Sequence, residues 1–239
     1  MFIIPARLES TRFPKKVLEP INNIPMVILT AQKAKKIANT IIATDSIEVI
    51  DVAKEYGFEA ILTSKEHNSG TDRVFEAVKK LNLNDNEIVV NLQADEPFIE
   101  EEVLKEIHQL TKECNNNIIG ATLYKKISQE EAKDPNIVKV VTDENSLSLY
   151  FSRSIIPFNR EKKEISYKAH IGIYGYKVEN LKKFCSLKHS FLEEIEKLEQ
   201  LRALEAGYKY ILKEVNSKSI GIDTKEDLQK ALKLFGKGS

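Results

Sequence analysis

The sequence of 239 residues has no surplus of either charge, with 36 Lys and Arg against 36 Asp and Glu. That balance argues against a general nucleic-acid binder, which carries a net basic surface. It leaves room for a local basic pocket around one anionic ligand. Cysteine is scarce: Cys114 and Cys185 lie far apart with no CxxC pair, so free thiols in a reducing compartment are expected. The four histidines, His67, His108, His170 and His189, show neither HxxxH nor HExxH spacing, which speaks against a zinc site. No apolar run approaches the roughly 18 residues of a membrane span. The opening MFIIPAR has neither the basic start nor the long apolar stretch of a secretory signal. The expectation is therefore a cytoplasmic protein without membrane insertion. Both standard glycine-rich phosphate loops, GxGxxG and GxxxxGK[ST], are also missing.

With 42% hydrophobic residues the chain can bury one large core, and it is too short for two full-sized domains with linkers. One domain over 1–239 is expected, with an excursion around 120–177. Short apolar runs alternate with helix-period segments. Phe2 to Ile4 reads as a buried first strand, Pro25 to Lys36 as a helix, and Thr40 to Thr44 as a second strand. Asp45 to Tyr56 reads as a helix, with Asp45 and Glu48 in a capping-box pattern and Gly57 as its stop. Glu59 to Thr63 is a third strand. Val74, Ala77, Val78 and Leu81 then mark a helix face, and Ile88 to Leu92 a fourth strand before a helix through Val103, Ile107 and Leu110. This alternation predicts a mostly parallel sheet with helices on both faces.

After about Ile118 the pattern changes. Val138 to Thr142 and Leu147 to Phe151 flank Asp143-Glu144-Asn145, an antiparallel hairpin signal. Ala169 to Tyr176 and Lys209 to Glu214 read as strands. Helices are expected around Val178 to Phe184, Phe191 to Ala206 (with a Ser190/Glu193 capping box) and Thr224 to Phe235. The sheet is thus expected to be mixed, in a three-layer α/β/α, Rossmann-like arrangement.

In open α/β sheets ligands bind beyond the carboxyl ends of the strands. After the first strand come four cations, two hydroxyls and two prolines within Pro5 to Lys16. Arg7, Arg12 and Lys16 are suited to meet phosphates, arginine as a planar fork and lysine as a mobile point charge. Thr44 and Asp45 follow the second strand, where Asp45 is equally readable as a helix cap. In Asn68-Ser69-Gly70-Thr71-Asp72-Arg73, Gly70 permits close backbone approach and Ser69 or Thr71 can cap. Arg73 is unexpected in a first helical turn, where cations are disfavoured, and a bound anion would account for it. Asp95 follows the fourth strand, where Mg²⁺ would take a carboxylate plus substrate phosphates. Its neighbour Glu96 is expected to point elsewhere or to cap. Asp223 is most simply a helix cap, but with Asp95 it would hold one Mg²⁺ if the chain brings the two side by side.

The segments IIPARLESTRFPKKVL, ATDS, NSGTDR, NLQADEP, YFSR, HIGIYGY, LEQLR and GIDT, in this order, resemble the 3-deoxy-manno-octulosonate (Kdo) cytidylyltransferases of lipopolysaccharide biosynthesis. The resemblance covers essentially the whole chain. The first motif alone is shared with several sugar nucleotidyltransferases, while the later segments together are particular to the Kdo enzymes. One departure is Ala94, where the family usually has glycine. The resemblance implies a nucleotidyltransferase fold in which Arg7, Ser10, Arg12 and Lys16 grip the CTP phosphates. Thr44, Asp45, Ser69, Gly70 and Thr71 would line the nucleotide pocket. Asp95 and Asp223 would bind Mg²⁺. Arg73, Gln93, Arg153, His170, Tyr174, Glu199 and Gln200 would surround the acid sugar. The bland alternatives stand beside these roles: His170 as a structural histidine, Tyr174 as core, Glu199 on a solvated helix face. A homodimer is implied, with the excursion as interface.

The reaction so implied transfers CMP from CTP to the anomeric hydroxyl of Kdo and releases pyrophosphate. Arg12, Lys16 and Asp95 would be its catalytic residues, with Mg²⁺ activating the sugar hydroxyl. Competing readings are a cytidylyltransferase for sialic acid or for an amino analogue of Kdo, a nucleotide-sugar glycosyltransferase, and a non-catalytic nucleotide sensor. The absence of DxD weighs against the glycosyltransferase, and the conjunction of Asp95, Asp223 and Lys16 against the sensor.

Overall fold

A computed structural model describes residues 1–10, 13–67 and 69–235. The chain divides into two compact units, Met1–Asn84 with Val89–Lys105 and Ser217–Ser239, and Asp85–Ile88 with Glu106–Asn216.

In the first unit, strand β1 (Phe2–Ala6) runs longer than its apolar signal because Pro5 and Ala6 continue the parallel register. A small hairpin, β2 (Pro20–Ile21) and β3 (Ile24–Pro25), leads into helix α1 (Met26–Lys35). Then follow β4 (Thr40–Thr44), α2 (Ile47–Glu55), β5 (Glu59–Leu62), α3 (Gly70–Lys80), β6 (Ile88–Asn91) and α4 (Glu101–Leu110), of which Ile88 and the second half of α4 are counted with the second unit. The strands stand in the order β6-β1-β4-β5, all parallel. β1 and β4 are buried at every residue, which explains why they read as unbroken apolar runs rather than alternating ones. The core is built of Phe2, Ile3 and Ile4 with Ile41, Ile42, Val27, Ile28, Val74 and Val90. Each such side chain contributes roughly 1.5–3 kcal/mol on burial.

The second unit contains β7 (Ile118–Ile127), β8 (Lys139–Thr142), β9 (Ser148–Ser152), β10 (Tyr167–Lys177) and β11 (Lys209–Glu214). β7 pairs parallel with β11 and antiparallel with β10, while β8 pairs antiparallel with β9 and β10. The hairpin around Asp143 is as expected: Asp143 Oδ1 accepts from the N–H of Asn145 and of Leu147. Helices α5 (Val178–Ser186), α6 (Phe191–Glu196) and α7 (Leu201–Glu205) complete it. The sheet pairing along the chain is mixed, in the α/β class expected.

Two local expectations are corrected. The helix after β4 begins at Ile47 behind Ser46, with no side-chain cap. Asp45 is instead held by Arg73 and by the N–H of Leu8, and Glu48 by Lys15. The single helix expected over Phe191 to Ala206 breaks at Lys197, which is left-handed (φ 52°) although neither glycine nor proline marks the place. The turn lets Arg202 reach back to Glu193 at 2.8 and 2.6 Å in a buried pair. The Ser190/Glu193 capping box is present.

Candidate active site

The segments that follow β1 and β6 deliver polar side chains to one region of the first unit. A cavity of about 260 Å³ opens there, lined along one side by Pro5, Arg7, Glu9, Ser10 and Lys16. Thr11 and Arg12 lie outside the described residues, as does Asn68. Phe13 is 2% exposed and anchors the loop in a cluster with Ile21, Met26, Ile222 and Leu228. Lys15 turns left-handed (φ 53°) and starts the single 3-10 turn Lys16–Leu18. That turn points the Lys16 ammonium inward.

Lys16 Nζ lies 2.6 Å from Asp95 Oδ2 and 3.0 Å from Asp223 Oδ1. Burial would lower its pKa, but the two carboxylates outweigh that and hold it above its usual value. The two carboxylates named from sequence are therefore brought together, with the ammonium between them. Asp223 is not the cap of the C-terminal helix (Lys225–Phe235). Thr224 Oγ1 accepts from Asp227 N–H at 3.1 Å, and Asp227 Oδ2 accepts from Thr224 N–H at 3.0 Å. This leaves the Asp223 carboxylate for the cavity.

The lining is continued by His67, Ser69, Gly70, Arg73 and Gln93. Ser69 caps α3, accepting from Asp72 N–H at 3.1 Å. Gly70 is closely packed: a Cβ there would sit 3.2 Å from Pro5 Cγ and 3.3 Å from Gln93 Oε1, so one of them would have to give by a few tenths of an ångström. The Gln93 amide is oriented by Asn91 Oδ1 (3.0 Å), and Asn91 in turn donates to Thr71 Oγ1 (3.1 Å). Ala94 is buried, and its carbonyl accepts from Thr30 Oγ1 at 3.0 Å.

Arg73 does not need a bound anion to explain its place in the first turn of α3. Its Nη2 meets Asp45 Oδ2 at 2.9 Å, and its Nη1 donates to Thr63 Oγ1 at 2.5 Å and to the Ser64 carbonyl at 3.2 Å. The pair is buried and ties the ends of β4 and β5 to α3. The Asp45 Oδ1 bond to Leu8 N–H (3.2 Å) adds the loop after β1. Thr44, Asp45 and Thr71 thus stand behind the cavity wall and do not line it.

His67 also lines the cavity, a place its sequence position does not announce. Its Nε2 bonds to the Glu76 carboxylate, which also accepts from Ser64 N–H (2.9 Å) and pairs with Lys80 (2.8 Å). Burial opposes ionisation of Glu76, but those donors outweigh it and bring its carboxyl to about 2. The available signal is a lone histidine just before Asn68-Ser69-Gly70, without metal-ligand spacing to mark it.

The remaining sugar-site candidates belong to the second unit. The register of β10 against β7 shifts between Ile171 and Tyr174, so that His170 stands opposite Tyr124 and Tyr174 opposite Thr122. Thr122 Oγ1 lies 2.8 Å from the Ile173 carbonyl and 2.9 Å from His170 Nε2. Burial pushes the imidazole down to about 3, so it is neutral. The His170 and Tyr174 rings are 5.3 Å apart. Burial first, then Tyr210 and Glu199, raises the Tyr174 phenol, so Glu199 stands in the same group. Gln200 is buried at the start of α7. Arg153 is committed to main-chain carbonyls, those of Glu196 (2.8 Å) and Pro135 (3.1 Å), and its own N–H donates to Glu196 Oε2 (2.9 Å).

A cleft of cations and paired carboxylates at the carboxyl ends of parallel strands is the arrangement of a nucleotidyltransferase, without a glycine-rich phosphate loop. The family model for cytidylyltransferases matches residues 1–220. The 3-deoxy-manno-octulosonate cytidylyltransferase of a Nitratiruptor species is 56% identical over 96% of this chain and 97% of its own length. The enzyme of the same name from Wolinella succinogenes is 50% identical over 99% of each chain. Among solved structures, CMP:2-keto-3-deoxy-manno-octonic acid synthetase complexed with CTP superposes with a TM-score of 0.93 at 36% identity, covering 100% of this chain and 98% of that one. The chain belongs to the cytidylyltransferases, and within them to the 3-deoxy-manno-octulosonate cytidylyltransferase family. Its fold is the mixed, mostly parallel α/β fold of that neighbour.

Proposed function

We propose that this chain transfers CMP from CTP to the anomeric hydroxyl of Kdo, with release of pyrophosphate, at the cavity beyond β1. The observation that carries the reading is the meeting of Lys16 with Asp95 and Asp223 in that cavity. CTP brings about four negative charges and Kdo a carboxylate, so cations have to bring the two together. Arg7, Ser10 and Lys16 bind and orient the phosphates, with Arg12 assigned the same role by its place in the motif. The exposed Arg7 guanidinium offers the fork, and the Lys16 ammonium exchanges carboxylate partners for phosphate oxygens. As the anomeric oxygen attacks the α-phosphorus in line, charge grows on the leaving pyrophosphate, and Lys16 and Arg12 stabilise it. Ser69 and Gly70, backed by Thr44, Asp45 and Thr71, form the nucleotide wall. In the first unit Gln93, held by Asn91, serves the acid sugar, and Arg73, paired with Asp45, braces the wall beside it. In the second unit the sugar role falls to the group of His170, Tyr174, Glu199 and Gln200, while Arg153 is held by main-chain carbonyls.

The residues present fit Mg²⁺. Asp95 and Asp223 supply two carboxylates, and among the described residues no cluster of three or more His, Cys, Asp or Glu side chains could form an all-protein cage. Mg²⁺ takes one or two carboxylates and completes its shell with phosphates and water. Bound there, it would neutralise phosphate charge and lower the pKa of a coordinated hydroxyl.

A homodimer fits the exposed apolar side chains of the second unit, Phe158 (85% exposed) and Phe191 (70%) with Leu149 and Ile195. No helix among the described residues is long and apolar enough to cross a membrane. A cytoplasmic enzyme supplying lipopolysaccharide synthesis is the reading that fits. The test is pyrophosphate release from CTP with a panel of acid sugars, with and without Mg²⁺. Kdo with Mg²⁺ should give turnover, whereas a sialic acid or an amino analogue of Kdo should give much less. Release with another acid in preference to Kdo, or CTP binding with no release, would overturn it.

A further inference from the structure

The acidic run that follows β6 does more than supply Asp95. The chain from Ser217 to Asp223 lies along it in a series of polar contacts. Glu100 Oε2 accepts from Ser217 Oγ (2.7 Å), and its Oε1 accepts from Lys218 N–H (2.8 Å). Glu96 Oε2 accepts from Ser219 Oγ (2.7 Å). The Ile222 N–H donates to the Asp95 carbonyl (2.9 Å). The approach is close enough that a Cβ on Gly221 would stand 3.1 Å from Glu96 Oε1. One residue beyond these contacts, the Asp223 carboxylate reaches Lys16.

We propose that Glu96 is a positioning residue, which with Glu100 docks the 217–222 segment so that Asp223 arrives beside Asp95 and Lys16. The proposal rests on Asp223 acting in the transfer reaction as described above. Two kinds of attachment divide the work. Ile222 is fully buried in the cluster with Phe13, Met26 and Leu228, and this holds the segment to the unit whatever happens at Glu96. The glutamates set where along the acidic run the segment sits. Loss of Glu96 therefore misplaces a carboxylate at the reacting centre without unfolding the protein. Misplacement by about 1 Å at a reacting centre costs up to about 10²-fold in rate.

The experiment compares Glu96→Ala, Glu96→Gln, Ser219→Ala and the double variant E96A/S219A, with Asp223→Asn as reference, by pyrophosphate release with CTP, Kdo and MgCl₂. E96A should lower kcat by about tenfold or more, with KM for CTP within about twofold and Tm unchanged. E96Q should recover most of the loss, because its amide oxygen still accepts from Ser219. S219A should reproduce the direction of E96A and add little in the double variant, as two halves of one contact must. Lost turnover in D223N with full turnover in both E96A and S219A overturns this proposal alone. Retained turnover in D223N overturns the role of Asp223 and this proposal with it. Equal losses in E96Q and E96A accompanied by a lower Tm would mark Glu96 as structural only, and also overturn it.

Discussion

Lys16 and Asp223 stand 207 positions apart in the chain, yet Lys16 Nζ lies 3.0 Å from Asp223 Oδ1. The same ammonium is 2.6 Å from Asp95 Oδ2. One cation thus gathers the start, middle and end of the first unit at the mouth of β1.

Asp95→Asn and Asp223→Asn should each lower kcat by about 10²-fold or more while changing KM for CTP little, because each removes a carboxylate that would hold Mg²⁺ at the reacting phosphate. Steady-state pyrophosphate release measures both constants. Near-wild-type turnover in either variant would remove that residue from the reaction.

Lys16→Ala should cut kcat by about 10²-fold or more. It should also leave Asp95 and Asp223 facing each other as uncompensated like charges. Turnover retained within a few-fold would mean that Arg7 and the rest of the loop suffice for the phosphates.

The buried Arg73–Asp45 pair predicts a strong stability effect. Arg73→Ala or Asp45→Ala should each destabilise the protein by about 3–5 kcal/mol, since each strands a buried partner. The double variant should cost much less than the sum of the two. Urea unfolding midpoints measure this, and full additivity would deny the pair.

Glu76 predicts a pH dependence. Its carboxyl is depressed from 4.5 to about 2, so it contributes stability that is fully present above about pH 4.5. That contribution is lost as pH falls toward 2. Glu76→Gln should therefore lower Tm by a few degrees at pH 7, about 2–4 °C for roughly 1 kcal/mol in a chain of this size. The gap between the variants should close as pH falls from about 4.5 toward 2. A gap that stays constant over that range would contradict the depressed carboxyl.

Cys114 is 1% exposed, and burial pushes its thiol up to about 12. Cys185 is only partly buried. Iodoacetamide at pH 8 should label Cys185 in the native protein and both cysteines in urea. Rapid native labelling of Cys114 would contradict that burial.

Most regular elements were legible in the sequence for local reasons. β1 and β4 are central strands buried throughout, so they show as unbroken apolar runs, and α3 carries its buried stripe at helical spacing. The Ser190/Glu193 box was readable because capping spans only four positions. The same reasoning misplaced Asp45, whose apparent cap motif is overridden by Arg73 from another helix. It also missed the break at Lys197, where no glycine or proline announces the turn. There the reach of Arg202 back to Glu193 stabilises a left-handed residue.

By itself, the sequence determined the α/β alternation and the chemical inventory: cations after β1, carboxylates after β6 and before the last helix, and no glycine-rich phosphate loop. These depend on composition and on periods of two to four residues. The tertiary structure decided which of those groups meet. It put Lys16 between Asp95 and Asp223, turned Arg73 inward onto Asp45, and laid the 217–222 segment along Glu96 and Glu100. Such meetings depend on long-range closure of the chain and on the pairing of charges withdrawn from water, and neither leaves a mark in local spacing.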